Sequence, residues 1–89
     1  MPKHTRASIL DTAKGYVTQD RAETHGSMED NFSTIAAYWN IHLGAPFVDA
    51  VDVGLMMAMV KLARAKSNKT HSDNFVDLAG YAACAGELA

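Results

Sequence analysis

Carboxylates and cations recur at one-turn spacings in the second half of this sequence, and the spacings limit what chemistry they could do. Asp49 and Asp52 are three residues apart, so on a helix they share a face. Two carboxylates so placed can jointly hold a hard divalent cation such as Mg²⁺, which takes oxygen ligands. The same pair also fits a cap, with Asp49 at the N-cap, Asp52 at the third position, and acids suiting the helix dipole. Asp77 is the third candidate metal ligand. It shares a face with Asp73, Gly80 and Cys84, and Tyr81 lies beside them. A mid-helix glycine costs about 1 kcal/mol relative to alanine, so close approach of something would account for Gly80. A carboxylate one turn from that glycine then marks the edge of a crevice. In the plainer alternative Asp77 faces solvent and Gly80 serves helix packing alone. Phe75, Leu78 and Ala82 point the other way and are expected to meet the core.

Lys61 and Arg64, followed by Lys66 and Lys69, form a basic cluster. Cations in the last turns of a helix suit its dipole. Alternatively, Arg64 presents a planar fork to phosphate oxygens and Lys61 a point charge one turn earlier. Arg21 and His25 precede Gly26 and could contact phosphate or cap carbonyls. Thr70-x-x-Asp73 could likewise be only a cap. The chain has no G-x-G-x-x-G, P-loop, H-E-x-x-H or C-x-x-C motif. Cys84 has no obvious base beside it, and the four histidines show no metal-type spacing.

These side chains must be positioned by helices, because no stretch alternates as a strand does. The spacing predicts an all-α, compact four-helix bundle in a single domain over 1–89, with helices at about 5–23, 28–43, 48–66 and 71–88. Ile9, Ala13, Tyr16 and Val17 make the apolar stripe of the first helix. Phe32, Ile35, Ala36, Trp39 and Leu43 make that of the second. Ser27-x-x-Asp30 resembles a capping box, and Gly44-Ala45-Pro46 stops the second helix. The third helix is apolar nearly all round through Val51, Val53, Leu55, Met56, Met57, Met59, Val60 and Leu62. Such a helix requires burial on nearly every side. Either its three neighbours supply that cover, or a second chain packs on the Met-rich face and the protein is a homo-oligomer.

At 89 residues the chain is small enough to be marginal alone. Its 48% hydrophobic and 20% charged residues are those of a globular domain. A net charge of -2 argues against direct nucleic-acid binding through bulk charge. One cysteine excludes an intrachain disulfide framework. No targeting segment or stretch of membrane-spanning length is evident, so a cytoplasmic location is expected.

DNFVDLAGYAA, Asp73 to Ala83, resembles the last helix of the MazG-like all-α nucleoside triphosphate pyrophosphohydrolases. That resemblance implies two acid pairs holding Mg²⁺ against substrate phosphates, with Asp49-Ala50-Val51-Asp52 standing for the first and Asn74-Phe75-Val76-Asp77 for the second. The sequence departs from that pattern: aspartates replace both glutamates of the first pair, and Asn74 replaces an acid. RAETHGSMEDNF, DVGLMMAMVKLARAK and DNFVDLAGYAA together are similar to a small tailed-phage protein family over nearly the whole chain. That resemblance implies a polar set comprising Arg21, His25, Asn31, Asp52, Lys61, Arg64, Asp73, Asp77 and Tyr81.

Three functions follow as expectations. In the first, the bundle binds a nucleotide or nucleotide-derived signal without turnover. Arg21, His25, Lys61 and Arg64 would meet phosphate, and Asn31, Asp77 and Tyr81 sugar or base, with Asp73 in the same ligand-binding set. In the second, Asp49, Asp52 and Asp77 bind Mg²⁺ for pyrophosphohydrolysis. The third is a structural or protein-binding bundle. Any ligand pocket is expected at or near the seam between chains.

Overall fold

The computed structural model describes residues 4–20 and 27–89. Among these the fold is all-α, with no strand. Helix α1 spans Arg6–Gly15 and runs into a π-helical turn, Tyr16–Asp20; α2 spans Met28–Leu43, α3 Ala50–Ser67 and α4 Ser72–Leu88. The last three lie within two residues of the expected spans. The first regular helix is shorter than expected, because the wider π turn takes over after Gly15; Arg21–Glu23 lie outside the described residues.

Local chemistry sets the boundaries. Thr5 opens α1 with a reciprocal cap to Ser8. At α2, the Asp30 N–H donates to the Ser27 hydroxyl at 3.2 Å, half of the expected box. Gly44 ends α2 with φ +80, a left-handed conformation that costs glycine little, and its N–H donates to the Asn40 carbonyl. At α3, the Asp52 N–H donates to Asp49 Oδ1 at 3.0 Å and the Asp49 N–H to Asp52 Oδ2 at 2.9 Å. The expected Thr70 cap is not formed. His71 is the N-cap of α4 and gives no side-chain cap, while the Thr70 hydroxyl donates to Asn68 Oδ1.

The helices are arranged as α1–α4–α3–α2, with α3 and α4 making the most extensive pairing. Gly54 lets these two meet: a Cβ there would stand 2.8 Å from the Ala85 Cβ and 3.2 Å from its Cα. Phe32 and Val53 are the largest fully buried side chains, and with Ala36 and Cys84 they form the core. Asn40 joins α2 to the start of α3. Its Nδ2 donates to the Val48 carbonyl at 2.8 Å, and its Oδ1 accepts from the Val48 N–H at 3.0 Å.

Three burial expectations are corrected. The face of α4 that meets the core carries Asn74, Val76, Gly80, Cys84 and Ala85, whereas Phe75 and Ala82 are exposed and Leu78 is half-buried. Small residues here face inward because neighbouring helices come close, which hydrophobicity alone does not reveal. Tyr16 and Leu43 leave their stripes and are exposed. Among the described residues no helix is long and apolar enough to cross a membrane.

Candidate functional site

A cavity of about 240 Å³ opens between α4, α2 and the π turn after α1. Its described lining is Val17, Phe32, Val76, Asp77, Gly80, Tyr81 and Cys84. The crevice anticipated at Asp77 and Gly80 is therefore present. The group approaching Gly80 is Val17, whose Cγ1 lies 3.1 Å from where a Cβ would stand. The π turn thus brings α1 against α4 beside the cavity. Phe32 and Tyr81 form an aromatic wall, their ring centroids 6.2 Å apart and their planes 26° from parallel, an offset stack.

Asp77 supplies the cavity's carboxylate. Lys61 reaches across from α3, placing Nζ 3.1 Å from Asp77 Oδ2. The lysine side chain is 14% exposed and the aspartate side chain 33%, so the pair is shielded from water more than a surface ion pair. This fixes the carboxylate's position and leaves its other oxygen able to accept a proton donor. The volume is below the roughly 300–1,000 Å³ of most ligand pockets, which suits a single ring system.

The remaining expected residues are distributed around the fold. Arg64 borders a separate shallow depression with Ser67, Asn68, His71 and Asn74. Asp73 is exposed and lies 3.8 Å from His71 Nε2. Asn31 is half-buried on α2, next to Phe32 in sequence and outside the described cavity lining. Arg21 and His25 lie outside the described residues. Asp49 and Asp52 cap α3, and Lys61 stands nine positions after Asp52, a rise of about 13.5 Å along the helix. Asp77, held at Lys61, is therefore far from the capping pair. The proposed ligand set Asp49–Asp52–Asp77 is not assembled at one point, and among the described residues no three His, Cys, Asp or Glu side chains are grouped to hold a metal.

Sequence reasoning assigned Val17 and Phe32 to core stripes, and here they also line the cavity. It gave Asn74 only a stand-in role for an acid, yet this is the buried polar residue among those described. It overlooked Asn40, for which an amide just before a helix-stopping glycine was the available signal. The described lining of the cavity comes from the π turn, α2 and α4 of one chain.

An all-α domain with a ring-sized, carboxylate-edged cavity is the class that fold and site define. The chain belongs to the family described as "Domain of unknown function (DUF6378)", whose model matches residues 8–89. It is similar to the Gene 55 protein of Mycobacterium phage L5, 37% identical over 75 residues, covering 84% of this chain and 48% of that protein. The Gene 55 protein of Mycobacterium phage D29 is 36% identical over 77 residues, covering 86% and 50%. The chain thus spans about half the length of the curated relatives it matches. No solved structure matches it. These matches agree with the tailed-phage resemblance and carry nothing on the MazG-like one.

Proposed function

We propose that this chain is a binding module for a nucleotide or nucleotide-derived signal, with the base seated in the cavity between Phe32, Tyr81 and Asp77. The observation that supports it is a carboxylate held by a lysine at a cavity that Tyr81 also lines. The half-buried Tyr81 ring, backed by the fully buried Phe32, would stack on a heterocycle, and Asp77 would accept from a ring N–H or exocyclic amine. Phosphates would lie outside the cavity, on the side of Lys61, which already pairs with Asp77. Binding without turnover requires only this preformed site.

The test is thermal unfolding of the chain with nucleobases, nucleosides, nucleotides, and cyclic and ADP-ribose-type ligands. A ligand that binds only the folded state, at a hundred times its Kd, adds about 2.7 kcal/mol of stability. The expected result is stabilisation by at least one ligand, lost in Asp77→Asn, with the ligand recovered unchanged. Release of pyrophosphate from a nucleoside triphosphate would instead support the MazG-like reading, through donors other than the set above.

A second reading, a protein-binding bundle, is favoured by the exposed apolar residues of α2 and α3, among them Tyr38, Ile41, Met59 and Leu62. Absence of stabilisation by every ligand would favour it.

A further inference from the structure

The side of α3 turned away from α4 is apolar along most of its length. Leu55, Met56, Met59, Val60 and Leu62 are exposed on it, Met59 to 59% and Leu62 to 58%. Gly54 and Lys61 face α4, and at about 100° per residue Met59 falls on the opposite side of the helix. Asp52, Leu55, Met59, Leu62 and Lys66 follow one another by alternating steps of three and four residues, the spacing of a helix–helix seam. The ends of this stripe carry opposite charges. Asp52 and Lys66 stand seven residues before and after Met59.

We infer that the chain forms a two-fold homodimer in which α3 packs antiparallel on α3 of a second copy, with the axis at Met59. Turning a second α3 end for end about Met59 places its Lys66 opposite Asp52 and its Asp52 opposite Lys66. The same operation sets Met56 against Leu62, Leu55 against Ala63 and Met59 against itself. The surface is therefore self-complementary in shape class and charge, which an isologous interface requires. Asp52 takes part with its cap intact, since the bond to the Asp49 N–H uses Oδ2.

Five large apolar side chains of α3, Leu55, Met56, Met59, Val60 and Leu62, are available to such a seam. A standard interface takes about 800 Å² from each partner. The seam is opposite the α4 side of α3, so it leaves the cavity open and does not depend on the ligand proposal.

The experiment is sedimentation equilibrium of the full chain from micromolar to millimolar concentration. The expected mass is twice 9.6 kDa. Met59→Lys should sediment as a monomer with an unchanged helical circular dichroism spectrum. Lys66→Glu should raise the dimer Kd by about tenfold through two like-charge contacts, and adding Asp52→Asn should reverse part of that rise. Geometry is read by mild oxidation: Met59→Cys should cross-link to itself, whereas Lys66→Cys should not, because the two copies of position 66 lie about 21 Å apart along the seam. Cys84 is buried in either case. A wild-type monomer at every concentration overturns the inference and assigns the face to another occupant, such as the further length of the curated relatives. A dimer unaffected by Met59→Lys, or equal cross-linking at position 66, overturns it as well.

Discussion

At the residue scale, the Lys61–Asp77 contact carries most of the functional argument. Asp77 beside Gly80 was legible as a crevice edge because a mid-helix glycine invites a steric explanation. The partner was not legible. Lys61 belonged to a basic cluster read along one helix, and its reach to α4 depends on the register of α3 against α4, which no spacing within α3 contains. Lys61→Met keeps the apolar stem and removes the charge, leaving a partly shielded carboxylate unpaired. It is expected to lower unfolding free energy by about 1–2 kcal/mol, discounted for the pair's partial exposure. In Asp77→Asn the same lysine change should cost measurably less, and a denaturant-based double-mutant cycle gives the coupling directly. Asp49 poses the opposite problem, because one local pattern served both a cap and a metal ligand. The observed reciprocal bonds predict that Asp49→Ala lowers stability by about 1 kcal/mol while Asp49→Asn costs only a few tenths, with or without Mg²⁺ in the melt. A Mg²⁺-dependent difference between the wild type and Asp49→Asn would contradict the capping role.

At the element scale, helix ends were easier to read than helix faces. Gly44 and Asp49 mark their boundaries through backbone chemistry confined to a few residues, and those boundaries agree with the sequence. The face of α4 was misassigned because Phe75 and Leu78 are the larger apolar residues, yet Gly80, Cys84 and Ala85 are the ones covered. Close helix contact selects small residues for the buried side, reversing the usual inference from hydrophobicity. Gly54 shows this most sharply. Gly54→Ala would gain about 1 kcal/mol of helix propensity. It would also force a methyl to within 2.8 Å of Ala85, and separating α3 from α4 should cost more than that gain. The net expectation is a loss of about 1–2 kcal/mol, measured as a lower urea midpoint. An unchanged midpoint would mean that the two helices can move apart freely.

At the scale of the whole molecule, the arrangement α1–α4–α3–α2 leaves α3 with neighbours on part of its circumference only. The sequence reading saw that a helix apolar nearly all round lacked cover, and within one chain that cover is incomplete. The position of the cavity was less accessible to it, since Val17, Phe32 and Asp77 come from three separate segments. If the α3 face pairs as inferred, the melting temperature should rise with protein concentration in the wild type and become independent of it in Met59→Lys, as linkage to association demands. A concentration-independent wild-type transition would place the folding unit in the single chain.

The lone cysteine has a further use, because it lies in the wall of the cavity. Cys84 is the chain's one thiol and is buried in the lining that also carries Gly80, Phe32 and Tyr81. The molecule therefore carries its own occupancy reporter, with no label to engineer. A thiol-reactive dye should modify Cys84 slowly, in step with opening of the cavity, and a resident ligand should slow the reaction further. If the cavity binds a small molecule as proposed, screening an extract by that protection would search for it without first guessing its identity.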